Sequence, residues 1–216
     1  PILKHLHTGG ARVPAGMLQE LCQAAPEAEI AIVYGSTEAE PIAVLDVRDN
    51  LAELAEGERS GRGALVGTPV EQIAVRLEDD EILVSGPHVN RGYYQDPEAD
   101  AQNKVRDGDR IWHRTGDAGH RDEAGRLWLV GRAGGRIAGV WPMQVEAPAE
   151  LLPFVVKAGL AEVGGEAVLA CQLHDAPADW QAQVTQATGS RVRIVEIAEV
   201  PVDPRHNAKV DRRRLE

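Results

Sequence analysis

The five consecutive residues from Tyr34 to Glu38 combine an aromatic ring, a glycine, two aliphatic hydroxyl groups and a carboxylate. They directly follow the apolar run 30–33, which is typical of a buried strand. Ligands of α/β proteins bind beyond the ends of such strands, where loops vary without disturbing the core. We predict that Tyr34 stacks on a purine and that Gly35 lets the backbone approach a ligand. Thr37 would donate to a phosphate oxygen, and Glu38 would bind a magnesium ion. A strand, a turn and a helix cap would explain the same five residues equally well.

Three further segments follow this pentapeptide in order. They are His-Arg-Thr-Gly-Asp at 113–117, Val-Gly-Arg at 130–132 and Asn-Ala-Lys-Val-Asp-Arg at 207–212. Together with Tyr-Gly-x-Thr-Glu, they resemble the AMP-forming acyl-adenylate synthetases, the superfamily of acyl-CoA synthetases, peptide synthetase adenylation domains and luciferase. Ordered matches across most of the chain are more specific than any single motif.

This resemblance implies a nucleotide site. Asp117 would accept hydrogen bonds from both ribose hydroxyls, since a carboxylate offers two oxygens. Arg132 would contact the ribose and the α-phosphate at the start of an interdomain hinge, because a guanidinium can donate twice to an oxyanion. The segment that ends in Gly9, Gly10 and Ala11 resembles the family's adenine-contacting loop. The structural alternatives are a turn aspartate, an exposed ion-paired arginine and a turn that leads into a helix.

Lys209 is the residue to which the resemblance assigns a catalytic role. When a carboxylate attacks the α-phosphate of ATP, negative charge builds on that phosphate and on the departing pyrophosphate. A mobile ammonium group is suited to stabilise this charge. The spacing to Pro201 and Pro204 and the Val-Asp-Arg suffix match the family's closing motif. A solvated basic terminus is the alternative interpretation.

Two segments indicate a branch of the superfamily. Residues 133–138 read Ala-Gly-Gly-Arg-Ile-Ala, where most members have an aspartate or lysine hinge and a second lysine soon after. Together with Arg-His-Asn-Ala-Lys at 205–209, they resemble the branch of olefin β-lactone synthetases and fatty acyl ligases. This implies a fatty or polyketide-type carboxylic acid as the substrate, ATP and Mg²⁺ as cofactors, and CoA as a possible acceptor.

Two other functions stay open. One is a β-lactone synthetase that acts on a β-hydroxy acyl-adenylate. The other is a non-catalytic nucleotide-binding or interaction module. The presence of Glu38, Asp117 and Lys209 disfavours the module, because a sensor needs neither a magnesium carboxylate nor a lid lysine.

The resemblance covers only the C-terminal part of such an enzyme. The superfamily's Ser/Thr/Gly-rich phosphate loop is not found in the sequence, which starts at Pro1 inside an apolar segment. We therefore expect a longer enzyme, whose N-terminal part is a required partner, and an isolated chain that is inactive.

Composition disfavours several classes of partner. The chain has 34 acidic and 23 basic residues, a net charge of −11, and no basic patch, which disfavours nucleic acid and anionic membranes. No run approaches the roughly 18 apolar residues that a membrane span needs. Cys22 and Cys171 lie in apolar patterns without metal-site spacing, which predicts buried free thiols in a reducing compartment. A cytoplasmic location is expected.

The elements around these motifs are predicted to be α/β. A helix after Pro14, with apolar residues at 17, 18, 21 and 22, ends before Pro26. Short runs broken by Gly and Asp predict a β-barrel or twisted sheet, with a hairpin turn at Asp79 and Asp80 and a helix over 97–105. The strands are expected at 64–66, 72–77, 81–85 and 127–130.

The C-terminal part is predicted as two strands, a helix and a strand, at 154–160, 166–173, 177–188 and 192–200, with Gly189 as the helix cap. Residues 1–132 would form the end of a large AMP-binding domain. Within it, 1–60 is an α/β piece and 61–132 a β-barrel-like subdomain. Residues 133–216 would form a small α+β lid domain.

Overall fold

The computed structural model describes residues 3–189, 192–202 and 210–215. It divides into two compact units, the first formed by Pro1–Leu54 and Ala64–Ala133 and the second by Ala55–Gly63 and Gly134–Glu216. The segment Ala55–Gly63 thus groups with the second unit. The predicted domains at 1–132 and 133–216 concern the intact protein and stay a prediction.

The first unit is rich in strands, and its second helix, α2, begins in this unit and ends in the segment that groups with the second unit. Its elements are β1 His5–Gly9, α1 Ala15–Ala24, β2 Glu29–Ser36, β3 Ala39–Asp46, α2 Leu51–Arg59, β4 Ala64–Pro69, β5 Ala74–Glu78, β6 Glu81–Ser85, α3 Pro97–Asn103, β7 Lys104–Asp107, β8 Arg110–Arg121 and β9 Leu127–Arg132.

The described strands of this unit form one nine-stranded sheet in the order β1-β2-β3-β4-β9-β8-β6-β5, with β7 paired to β8. Strand β1 is parallel to β2, and the other pairs are antiparallel. The α/β class is confirmed. The expected barrel-like subdomain is an open part of this sheet in the described residues, because β4 and β5, its outer strands, are not paired with each other.

Local signals predicted several elements correctly. The helix after Pro14 is α1, and it buries Leu18 and Cys22. The hairpin between β5 and β6 turns at Asp79 and Asp80, whose φ angles are 48° and 68°. Two left-handed residues form the turn that suits the twist of a two-residue hairpin.

Four strands of the first unit, β1, β3, β7 and β8, were not predicted. Strand β3 contains Pro41, which argues against a strand on sequence grounds. Strand β8, 12 residues long, contains Gly116, with a φ of 68°, inside a run of polar residues. Strand β3 is stabilised by pairing with β2 and β4, and β8 by pairing with β6, β7 and β9, which residue propensities alone do not indicate.

The apolar core of the first unit lies against this sheet. Ala39, Ile42, Ile82, Val84 and Leu127 are completely buried in one cluster, to which Tyr34 also belongs. The strand that carries Tyr34 therefore packs into this apolar core.

The second unit is an α+β unit, as predicted, with two further helices, at Met143–Glu150 and Arg212–Leu215, that the sequence analysis missed. Its elements are α4 Met143–Glu150, β10 Val155–Val163, β11 Glu166–Leu173, α5 Trp180–Thr188, β12 Arg193–Ile197 and α6 Arg212–Leu215. Strand β10 is antiparallel to β11. Strand β12 is parallel to β11, which it reaches after the crossover through α5. Gly189, at a φ of 73°, caps α5 as predicted.

The end of the second unit is tied to its core. Val202 pairs with Val210, and the backbone N–H of Asp211 donates to the carbonyl of Pro201 at 2.8 Å. Arg212 donates to both carboxylate oxygens of Glu146, at 2.7 and 3.1 Å. Lys209 itself lies outside the described residues.

Both cysteines are buried free thiols, as predicted. Burial raises the pKa of the Cys171 thiol to about 12. No helix within the described parts of the chain has the length and apolar character needed to cross a membrane.

Candidate functional site

The carboxyl ends of β1 and β2 lie side by side, because the two strands are parallel and Gly9 is paired with Val33. A Cβ atom on Gly9 would lie 2.3 Å from the carbonyl oxygen of Val33. Glycine is therefore required there for the two strands to approach. Gly9 ends a strand rather than lying in a loop, and Gly10 and Ala11 begin the loop beyond it. The predicted adenine loop is thus next to the strand that carries Tyr34.

Tyr34, Asp117 and Arg132 are joined by hydrogen bonds. The Tyr34 hydroxyl donates to Oδ2 of Asp117 at 3.0 Å, and Nη1 of Arg132 donates to Oδ1 of the same carboxylate at 2.6 Å. Tyr34 is only 7% exposed, whereas the Arg132 side chain is 71% exposed. Burial and the adjacent Asp117 charge raise the pKa of Tyr34 well above its usual value, so its hydroxyl stays a donor.

Strands β8 and β9 place Asp117 opposite Arg132, since the two residues are register partners. Gly116, at a φ of 68°, allows this arrangement, because a Cβ there would lie 2.5 Å from Nη2 of Arg132. The hydroxyl of Thr115 accepts from the Asp117 backbone N–H at 3.1 Å and donates to the carbonyl of Ile82 at 2.8 Å. The aspartate predicted as a possible turn residue therefore lies within a strand.

Thr37 and Glu38 form the tight turn between β2 and β3, and Thr37 is exposed. Oε1 of Glu38 accepts a hydrogen bond from the Tyr93 hydroxyl at 3.1 Å. The pKa of Glu38 is lowered. Burial would raise it, but hydrogen bonds to the carboxylate outweigh burial. The Glu38 carboxyl group is therefore ionised at neutral pH, the form in which a carboxylate binds a cation.

A magnesium ion fits this turn only as part of a complex with a phosphate ligand. Mg²⁺ is commonly bound by one or two carboxylates together with substrate phosphates. No cluster of three or more His, Cys, Asp or Glu side chains that could hold a metal occurs in the described residues. Glu38 supplies one hard oxygen ligand, and the remaining positions would belong to phosphate oxygens and water.

Sequence reasoning missed the residues that hold this site in place. Tyr93 lies 55 residues from Glu38, and the Tyr93–Tyr94 pair contains no signal for which ring faces the carboxylate. Thr115 was within a recognised motif, and its role as a hydrogen-bonding link between β8 and β6 depends on their pairing. The roles of Thr37, Glu38, Asp117, Arg132 and Lys209 toward ligands stay predictions.

Comparisons with known proteins agree with the motifs. Residues 1–94 match the family described as AMP-binding enzyme. The olefin beta-lactone synthetase of Stenotrophomonas maltophilia is 30% identical over all of this chain, which covers 47% of that protein. The 2-succinylbenzoate–CoA ligase of Arabidopsis thaliana is 31% identical over 78% of this chain, and the match covers 34% of that enzyme.

A solved structure has a similar fold. The amide bond synthetase McbA from Marinactinospora thermotolerans superposes with a TM-score of 0.75 at 26% identity, over 99% of this chain and 46% of that one. The chain thus spans about half the length of the relatives that it matches throughout.

Proposed function

We propose that the intact protein activates a carboxylic acid with ATP. Residues 1–94 of the chain match the AMP-binding enzyme family, and the homologues are acyl-adenylate-forming ligases. The observation that supports this most directly is the hydrogen-bonded group of Tyr34, Asp117 and Arg132, next to the Gly9–Ala11 segment. These residues supply a ring, a two-oxygen acceptor and a guanidinium within one hydrogen-bonded group.

Asp117 would bind the ribose. Its Oδ2 atom is held by the buried Tyr34, whereas its Oδ1 atom is held by a largely exposed arginine. A ribose hydroxyl would replace Arg132 at Oδ1, and the released guanidinium would turn to the α-phosphate. Because little of the Tyr34 ring is exposed, adenine would contact its open part and the backbone of Gly10 and Ala11.

The first half-reaction forms acyl-AMP. A carboxylate oxygen of the acid attacks the α-phosphorus of ATP, the bond to the β-phosphate oxygen breaks, and pyrophosphate leaves. Lys209 would meet the negative charge that develops on the phosphates. Glu38 would hold Mg²⁺, which when bound neutralises charge on the phosphates. Thr37, exposed in the same turn, would donate to a phosphate oxygen.

The second half-reaction passes the acyl group to an acceptor. With CoA, the thiol sulfur attacks the acyl carbonyl, AMP departs with the oxygen of the broken acyl–phosphate bond, and the thiol proton is released. We propose a fatty or polyketide-type acid and CoA, in line with the CoA ligase among the relatives.

A β-lactone synthetase is the second candidate, and the relative named olefin beta-lactone synthetase, which matches throughout the chain, favours it. In that case, the β-hydroxyl of a β-hydroxy acyl-adenylate attacks its own carbonyl. AMP leaves with the oxygen of the broken acyl–phosphate bond, the hydroxyl proton is released, and a four-membered ring closes.

The test is acid-dependent exchange of pyrophosphate into ATP by the intact protein, with simple and β-hydroxy fatty acids. Exchange that depends on the acid supports the proposal. ATP binding by calorimetry without any exchange would instead identify a non-catalytic module. Product analysis with and without CoA then separates acyl-CoA from β-lactone.

A further inference from the structure

One loop holds Glu38 at two points. The backbone N–H of Asn90 donates to the Glu38 carbonyl at 2.8 Å, and the Tyr93 hydroxyl donates to Oε1 of its carboxylate at 3.1 Å. We call residues 90–96 the Tyr93 loop. Its two contacts fix both the main chain and the side chain of the residue proposed to bind the cation.

The Tyr93 loop is itself held by charged groups. The backbone N–H of Tyr93 donates to Oδ1 of Asp100 at 2.7 Å. Lys104, only 9% exposed, donates from Nζ to the carbonyl of Asn90 at 2.9 Å and also bonds Oδ1 of Asn90. The same ammonium nitrogen lies 5.2 Å from the centroid of the Tyr93 ring, within the range of a cation–π contact.

Space around the loop is tight on the side of Asp100. A Cβ atom on Gly92 would lie 3.0 Å from a carboxylate oxygen of Asp100. The helix that carries Asp100 is capped by Asp96, which accepts from the Ala99 backbone N–H at 2.9 Å. The anchor of Tyr93 is therefore on a capped helix rather than on a free loop end.

The adjacent tyrosine takes no part in these contacts. Tyr94 is 89% exposed, and its hydroxyl accepts from the side-chain amide of its neighbour Gln95 at 3.2 Å. Two tyrosines next to each other thus differ in environment, and only Tyr93 contacts Glu38.

We propose that Tyr93 is a positioning residue, which holds the Glu38 carboxylate ready for a divalent cation bound together with the phosphates of ATP. The inference rests on the proposed function. A glutamate side chain that is already oriented loses less rotational freedom when the cation binds, and groups that hold a metal ligand affect metal affinity in this way.

The test compares Tyr93→Phe with the matched control Tyr94→Phe in the intact protein. Binding of Mn²⁺ is followed by electron paramagnetic resonance in the presence of ATP. Tyr93→Phe is expected to weaken Mn²⁺ binding about tenfold, and Glu38→Gln gives the value for complete loss of the ligand. ATP binding without metal should be the same in both tyrosine variants. Equal Mn²⁺ affinity in the two variants would overturn the proposal.

A second variant covers the case in which Tyr93→Phe does not fold. Asp100→Asn keeps the Tyr93 hydroxyl and weakens the anchor of its backbone, so it should weaken Mn²⁺ binding by a smaller factor. An affinity equal to that of Tyr94→Phe would again refute the positioning role.

Pyrophosphate exchange separates this inference from the proposed function. At saturating Mg²⁺, Tyr93→Phe should exchange at nearly the wild-type rate, while half-saturation moves to higher Mg²⁺. If the wild-type protein shows no exchange with any acid, but Tyr93→Phe binds Mn²⁺ more weakly than Tyr94→Phe, only the proposed reaction is refuted. If exchange is normal and the two variants bind Mn²⁺ equally, only the role of Tyr93 is refuted.

Discussion

Tyr34 and Asp117 are 83 residues apart in the chain, and the hydroxyl of one donates to the carboxylate of the other at 3.0 Å. The tyrosine is at the end of β2 and the aspartate lies inside β8, two strands that do not pair with each other. The bond commits one carboxylate oxygen to the core and leaves the other to Arg132. In the proposed ribose site, Oδ2 of Asp117 therefore stays bound to Tyr34, whereas Oδ1 can exchange Arg132 for a ribose hydroxyl.

Replacement of Asp117 by asparagine should weaken ATP binding about tenfold or more. The amide loses the charge that Arg132 contacts, and it offers one acceptor oxygen where Tyr34 and a ribose hydroxyl together need two. The measurement is ATP affinity by calorimetry on the intact protein, together with the Michaelis constant for ATP. Asp109→Asn, at an exposed position, is the control. An ATP affinity within twofold of the control would show that the carboxylate does not face the nucleotide.

Lys209→Ala should slow acyl-adenylate formation by two or more orders of magnitude. Loss of one charged contact in a transition state costs about 3 kcal/mol. Pyrophosphate exchange at saturating ATP measures this step. The control is Arg213→Ala, which removes an exposed positive charge from α6. Exchange within tenfold of wild type in Lys209→Ala would remove the catalytic assignment.

Gly9→Ala should destabilise the protein by about 2 to 3 kcal/mol, because the added methyl group overlaps the Val33 carbonyl and forces β1 away from β2. Gly16→Ala is the matched control. A Cβ at Gly16 has no heavy atom within 4 Å, and alanine suits α1. The free energy of unfolding in denaturant titrations of the intact protein should fall for the first variant and stay level or rise slightly for the second. Equal values would contradict the close approach of the two strands.

We expect Asp122 to make the free energy of unfolding depend on pH. Its side chain is only 3% exposed, and it accepts hydrogen bonds from Trp128 at 3.0 Å and from Arg126 at 2.8 Å. Burial would raise the pKa of Asp122, but these hydrogen bonds outweigh it and lower the pKa to about 2. The folded pKa is below the unfolded value of about 3.9. Ionised Asp122 therefore adds about 2 kcal/mol to the free energy of unfolding. This stabilisation is complete above pH 4 and disappears as the pH falls through 2.

Asp122→Asn should remove this pH dependence, and Glu123→Gln, at the exposed adjacent position, should keep it. Unfolding free energies of both variants and of wild type between pH 2 and pH 7 provide the measurement. A constant difference between Asp122→Asn and wild type over this range would mean that Asp122 titrates normally.

Several parts of the fold were predictable because they depend on neighbouring residues in the chain. The helix α1, the two-residue turn at Asp79 and Asp80 and the cap at Gly189 follow from local backbone preferences. The strand β8 was not predictable, because its polar residues are stabilised by pairing with β6, β7 and β9.

The sequence by itself determined which chemical groups this protein has and their order, and hence the family resemblance, because motifs are properties of residue types and spacing. Only the tertiary structure decided that Tyr34 reaches Asp117, that Tyr93 rather than Tyr94 holds Glu38, and that Gly9 must lack a side chain. These contacts join residues far apart in the chain. They depend on strand register and loop packing, which are set by the whole core at once.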